Sequence, residues 1–105
     1  MKKRILTGIT TTGTPHIGNY LGAIKPSLNL ATENPESFFF LADYHALIKN
    51  KDSQNIKESV KNVALAWLSS GLDTDRSYFY RQSDIKEVTE LSWILSTITA
   101  KGLMN

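Results

Sequence analysis

The chain reads as an α/β protein: a parallel sheet flanked by helices. Three observations predict this. Strand-like and helix-like segments alternate three times along the 105 residues. The run Ser37–Leu41, with Phe38-Phe39-Phe40-Leu41, is continuously apolar, which suits a strand buried on both faces of a parallel sheet. The residues with chemical potential fall just after the strand-like runs, at Gly8–Thr12, Asp43–His45 and Gln82–Ser83. Ligands of open parallel sheets bind beyond the carboxyl ends of the strands. Alternation with right-handed crossovers implies a Rossmann-like layer, with the first strand between the other two or adjacent to one of them.

Each element has its own signal. Lys3 to Ile9 reads as a strand that breaks at Gly8 into a threonine loop. His16 to about Glu33 reads as helix, with a kink or a junction of two short helices at Pro26, whose ring removes a hydrogen bond and crowds the preceding turn. Asn34-Pro35 is a turn. Asp52 or Ser53 caps the next helix, Gln54–Ser70, whose stripe is Ile56, Val60, Val63, Ala64, Trp67 and Leu68. Gly71 sits where a glycine follows a helix end. Ser77–Arg81 is an aromatic strand. Ser83 is expected to cap a last helix, with Asp84 and Glu87 in its first turn. Val88, Leu91, Ile94, Leu95 and Ile98 should be its core stripe and Gly102 its end. Trp67, Trp93 and Phe38–Phe40 read as core, and Lys49, Lys51, Lys57 and Lys61 as a solvated face.

Composition narrows the function classes. With 41% hydrophobic and 21% charged residues this is one ordinary domain. A chain of this size buries about two-thirds of its unfolded surface, so the core is modest. No apolar run approaches the roughly 18 residues of a membrane span. The basic start Met1-Lys2-Lys3-Arg4 is followed by too short an apolar run for a signal peptide. There is no cysteine, so a disulfide frame and a thiolate zinc site are excluded, and a cytoplasmic location is expected. A net charge of +2 does not argue for nucleic-acid binding. The two histidines are too few ligands for a metal site, and none is expected.

The most informative stretch is Thr7–Tyr20, which holds Gly8, Gly13, Gly18, the threonines Thr10, Thr11 and Thr12, and Pro15-His16-Ile17-Gly18-Asn19. A loop that re-enters as a helix exposes free amide donors at the positive end of the helix dipole, an anion site. Gly18 leaves room for a base or phosphate near the backbone, and His16 and Asn19 share a helix face. The spacing is neither G-x-G-x-x-G nor a P-loop. The residues alone leave two readings: a plain turn with a threonine cap, or a phosphate site. Asp43 and His45 likewise fit a capped loop or a carboxylate orienting an imidazole.

Three segments together resemble the class I aminoacyl-tRNA synthetases, and most closely the tryptophan-specific ones: Thr7–Ile24, Phe40–Leu47 and Tyr80–Asp84. His16-Ile17-Gly18-Asn19 is similar to that group's variant of the HIGH signature. The resemblance implies ATP-dependent activation of tryptophan and its transfer to tRNA(Trp), with Mg²⁺ accompanying ATP. It implies that Thr10, Thr11 and Thr12 line the ATP loop, and that His16, Gly18 and Asn19 hold the nucleotide, with His16 and Asn19 in the catalytic role. Leu6, Gly8, Thr10 and His45 would border the tryptophan site, supported by Asp43. Many relatives carry Gln-Pro-Ser where Thr10-Thr11-Thr12 stand, and a threonine reaches less far.

The family runs to about three times this length, with a KMSKS loop, a carboxylate that reads the indole N–H, and an anticodon domain. Residues 1–105 are therefore expected to be the amino-terminal part of the catalytic domain, inactive alone, of an enzyme that is a homodimer at full length. The alternatives are a module that binds ATP weakly without turnover, and a half-sheet that self-associates through its open edge.

Overall fold

The structure, a computed structural model, describes residues 3–104; Met1 and Lys2 of the basic start, and Asn105, lie outside the described residues. Three strands, β1 (Ile5–Ile9), β2 (Ser37–Leu41) and β3 (Ser77–Arg81), form one parallel sheet in the order β1-β2-β3. Gly8 pairs with Phe40, and Phe40 with Tyr80.

Helical backbone begins at α1 (Ile17–Asn19), passes through a π segment (Tyr20–Ile24) and continues as α2 (Lys25–Glu33). The expected break at Pro26 is therefore corrected. The irregularity comes one turn earlier, where the Lys25 amide reaches the Tyr20 carbonyl, five residues back. Pro26 offers no amide and crowds the carbonyl four residues behind it, and a widened turn ahead of it accommodates both. The helix α3 (Asp43–Ala46) is a single turn immediately after β2.

The next helix, α4 (Ser53–Ser69), follows the expected pattern. Asp52 caps it by accepting from the Gln54 and Asn55 amides. It ends in a Schellman motif, with Gly71 at φ +101° and bonds from the Gly71 amide to the Leu68 carbonyl and from the Leu72 amide to the Trp67 carbonyl. After β3 come a 3₁₀ turn (Gln82–Asp84), α5 (Lys86–Ile98) and α6 (Lys101–Met104).

The core lies on one face of the sheet. Ile9, Phe39 and Leu41 meet Ile24, Val63, Trp67 and Leu72, and the Phe39 and Trp67 rings sit 5.6 Å apart. Both α2 and α4 pack on this side. In a sheet ordered 1-2-3, each right-handed crossover steps the same way, so both connecting helices land on the same face. The other face is open: Leu6 is 68% exposed, and Phe38 stacks on Tyr78 at 4.6 Å. The expectation of a strand buried on both sides is thus met at Phe39 and only partly at Phe38 and Phe40.

Three expectations about the last helix are corrected. Val88, Leu91, Ile94, Leu95 and Ile98 are exposed, as is Trp93: the core is built by the sheet with α2 and α4, and no residue of α5 joins it. Ser83 does not cap α5, whose cap position, Ile85, makes no side-chain cap bond. Gly102 falls inside α6 instead of ending α5. The lysines Lys49, Lys51, Lys57 and Lys61 are exposed as expected. No helix among the described residues is long and apolar enough to cross a membrane.

Candidate functional site

The parallel strands bring three chain segments to one rim. The first is the loop after β1. The Ala42 amide bonds to the Ile9 carbonyl at 2.9 Å, and the Thr11 hydroxyl donates to the Ala42 carbonyl at 3.3 Å, so the ends of β1 and β2 are stitched together. Thr11 is buried and turned inward by that bond, leaving Thr10 and Thr12 to present side chains. Gly13, at φ +80°, turns the loop toward Pro15 and the helix.

His16 is the cap of that helix. Its Nδ1 accepts from the Gly18 amide at 3.1 Å, and the Asn19 Oδ1 accepts from the His16 amide at 2.9 Å, a reciprocal capping box. The expectation of free amides at this helix start is narrowed here: the Gly18 and His16 amides are both taken, and the Ile17 amide has no hydrogen-bond partner among the described residues. An amide can only donate, so Nδ1 holds a lone pair and the imidazole proton sits on Nε2. The donor offered to solvent is therefore the ring Nε2–H. Gly18 matters for the same reason: a Cβ there would lie 2.9 Å from His16 Cε1.

The second and third segments clamp each other. Asp43, at the start of α3, accepts from the Ser83 amide at 3.0 Å and from the Ser83 hydroxyl at 2.5 Å. The His45 ring nitrogen Nδ1 lies 3.0 Å from Gln82 Oε1. Arg81 closes the turn that carries Gln82 and Ser83, bonding Asp84 with its guanidinium at 2.6 Å and with its own amide at 3.0 Å. Those bonds hold the Asp84 carboxyl below its ordinary range, and the carboxylate in turn pushes Arg81 up.

Two clefts flank the end of β1. One, of about 220 Å³, is lined by Thr7, Gly13, Asn19, Ile24, Ser27 and Trp67 on the helix side. The other, of about 380 Å³, is lined by Phe40, Ala42, His45 and Lys49 on the open face. Gly8, Thr10 and Thr12 line both. The larger falls within the roughly 300–1,000 Å³ typical of ligand pockets. Gly8 keeps Phe40 close, since a Cβ there would be 2.7 Å from its ring.

The fold thus gathers Gly8, Thr10, Thr12, Asn19 and His45 around adjoining clefts. His16 and Gly18 stand at the exposed helix start, Asp43 at the start of α3 against Ser83, and Leu6 on the open face beyond the cleft linings. The sequence set Gln82 and Ser83 at the rim but gave Gln82 no role and did not foresee the Ser83 contact with Asp43. Their signal was their position directly after the third strand.

A family model, tRNA synthetases class I (W and Y), matches residues 1–105. The chain belongs to this family. It is 61% identical to tryptophan–tRNA ligase of Neisseria meningitidis over 99% of this chain and 31% of that protein. It is 58% identical to tryptophan–tRNA ligase of Bordetella pertussis, covering 24% of it. The tryptophanyl-tRNA synthetase of Campylobacter jejuni, solved as a complex with ADP and tryptophan, superposes with a TM-score of 0.90 at 44% identity, over 96% of this chain and 31% of that one. That of Mycoplasma pneumoniae gives 0.84 at 30% identity, over 95% and 30%. This member of the class I synthetases therefore spans about a quarter to a third of the length of these relatives.

Proposed function

We propose that the chain forms the amino-terminal part of the catalytic domain of a tryptophan–tRNA ligase. The observation that carries this is the pair of clefts meeting at Gly8, Thr10 and Thr12, beside a helix start capped by His16 and Asn19. In this reading ATP lies against Thr10, Thr11, Thr12, Gly18 and Asn19. Thr11 contributes through its backbone, and His16 offers Nε2–H to phosphate oxygen. Tryptophan lies against Gly8, Thr10 and His45, with Leu6 at the border and Asp43 holding α3. The tryptophan carboxylate attacks the α-phosphate of ATP. The bond to the bridging oxygen breaks, and tryptophanyl-adenylate and pyrophosphate result. Transfer to the terminal adenosine of tRNA(Trp) follows.

The named residues supply no acid or base for this. They position the reactants and offer preorganised dipoles to developing charge. Mg²⁺ enters with the ATP phosphates as part of the substrate. The full-length protein works in the cytoplasm as a homodimer.

The test is tryptophan-dependent pyrophosphate exchange on protein free of host synthetase. The 105 residues alone should give none or very slow exchange, because a site open on one side leaves the charge to water. A form of relatives' length should give robust exchange. Robust, tryptophan-selective exchange by the short chain would show that it is a minimal catalyst, and none from the long form would sink the proposal. A self-associating half-sheet is the second reading, favoured by the open face at Leu6 and Tyr78 and the exposed stripe of α5. Light scattering that shows a monomer would remove it.

A further inference from the structure

His45 and Gln82 come from different strand ends and meet where α3 faces the 3₁₀ turn. Two nitrogens of the histidine address a single atom. Its ring Nδ1 lies 3.0 Å from Gln82 Oε1, and its backbone amide points at the same oxygen from 3.4 Å. A backbone amide only donates, so the glutamine atom between them is the oxygen of the carboxamide and not its nitrogen. An amide oxygen only accepts, so Nδ1 carries the proton and Nε2 the lone pair. Nε2 has no hydrogen-bond partner among the described residues, while the ring lines the larger cleft beside Gly8, Thr10 and Phe40.

We propose that Gln82 is a positioning residue that locks neutral His45 in the Nδ1–H form, so that Nε2 offers an acceptor to an N–H donor of the amino-acid substrate. Its support is built in. Asp43 takes both donors of Ser83, the neighbour of Gln82, and Arg81 and Asp84 close the turn around the pair. The chain's two histidines are then held in opposite senses. His16 is fixed by the Gly18 amide as Nε2–H, a donor suited to phosphate oxygen, and His45 is fixed by Gln82 as an acceptor suited to the substrate's ammonium. What the lone pair of His45 meets rests on the tryptophan-site reading above; the tautomer itself does not.

The experiment is ring-¹⁵N NMR of histidine-labelled chain without ligand, at a pH where both rings are neutral. The expected spectrum has an unprotonated, downfield Nε2 for His45 and an unprotonated Nδ1 for His16. In Gln82→Leu the His45 pattern should move to the Nε2–H form, and His16 should stay unchanged. Gln82→Glu, which keeps an acceptor, should restore the Nδ1–H pattern. A His45 that is Nε2–H in the unmodified chain overturns the proposal, and so does one that Gln82→Leu leaves as Nδ1–H. The first of these needs no variant to fold. Failure of the tryptophan-site reading would appear elsewhere, as absent tryptophan-dependent exchange in the long form.

Discussion

His16 carries two separable duties, and one pair of substitutions divides them. His16→Ala removes both the Nδ1 acceptor and the Nε2–H donor. His16→Asn keeps a short side-chain acceptor at the cap, and its Nδ2–H₂ stops short of the place that the ring Nε2–H reaches, so the outward donor is lost at that position. The cap satisfies the Gly18 amide at 3.1 Å and is matched by Asn19. Replacing a good cap by alanine costs about 1 kcal/mol. In a domain of this size that is about 4–8 °C in melting temperature. Asparagine ranks among the best caps, so His16→Asn should melt within a degree or two of the unmodified chain. Adenylate formation should respond differently. Loss of one preorganised donor to a transition-state oxyanion costs about a hundredfold or more in rate. Both variants should therefore lose about that much, and lose far less tryptophan affinity. Thermal unfolding by circular dichroism measures the first effect, and pre-steady-state adenylate formation in a form of relatives' length measures the second. His16→Asn at the unmodified rate would refute the donor role, and His16→Ala with an unchanged melt would refute the cap.

Two glycines give further predictions. Gly8→Ala sets a Cβ 2.7 Å from Phe40, and pushing that ring toward the larger cleft should cost about 1–3 kcal/mol and weaken tryptophan binding; an unchanged melt and unchanged affinity would show that Phe40 yields freely. Gly18→Ala should gain none of the roughly 1 kcal/mol that alanine ordinarily gains over glycine in a helix, because its Cβ meets His16 at 2.9 Å. Gly22→Ala, whose Cβ meets nothing within 4 Å, is the control for that gain. Gly18→Val should keep the helical dichroism yet lose nucleotide affinity in the long form, and undiminished ATP binding would show that nothing approaches the backbone there.

Features that depend on neighbours along the chain were legible in the residues alone. Periodicity and local caps located the strands and α4, and the Asp52 and Gly71 signals named its ends, because a cap bonds only to amides a few residues away. Alternation implied the parallel order, and through it the rim where Gly8, Thr10 and His45 gather. Features that need a partner from another strand end waited on the fold. The apolar stripe of α5 announced a helix with a buried face, and periodicity carries no information about whether a partner is near; Trp67 found the core and Trp93 did not. Ser83 has the chemistry of a cap, but Asp43, 40 residues away, claims its hydroxyl and its amide together. Thr11 looked like its neighbours and proved to be buried. The protons of the two histidines were decided last of all. A tautomer is set by whichever fixed donor or acceptor stands at the other ring nitrogen, and those groups, the Gly18 amide and the Gln82 oxygen, take their places only when the helix start and the strand ends are in position.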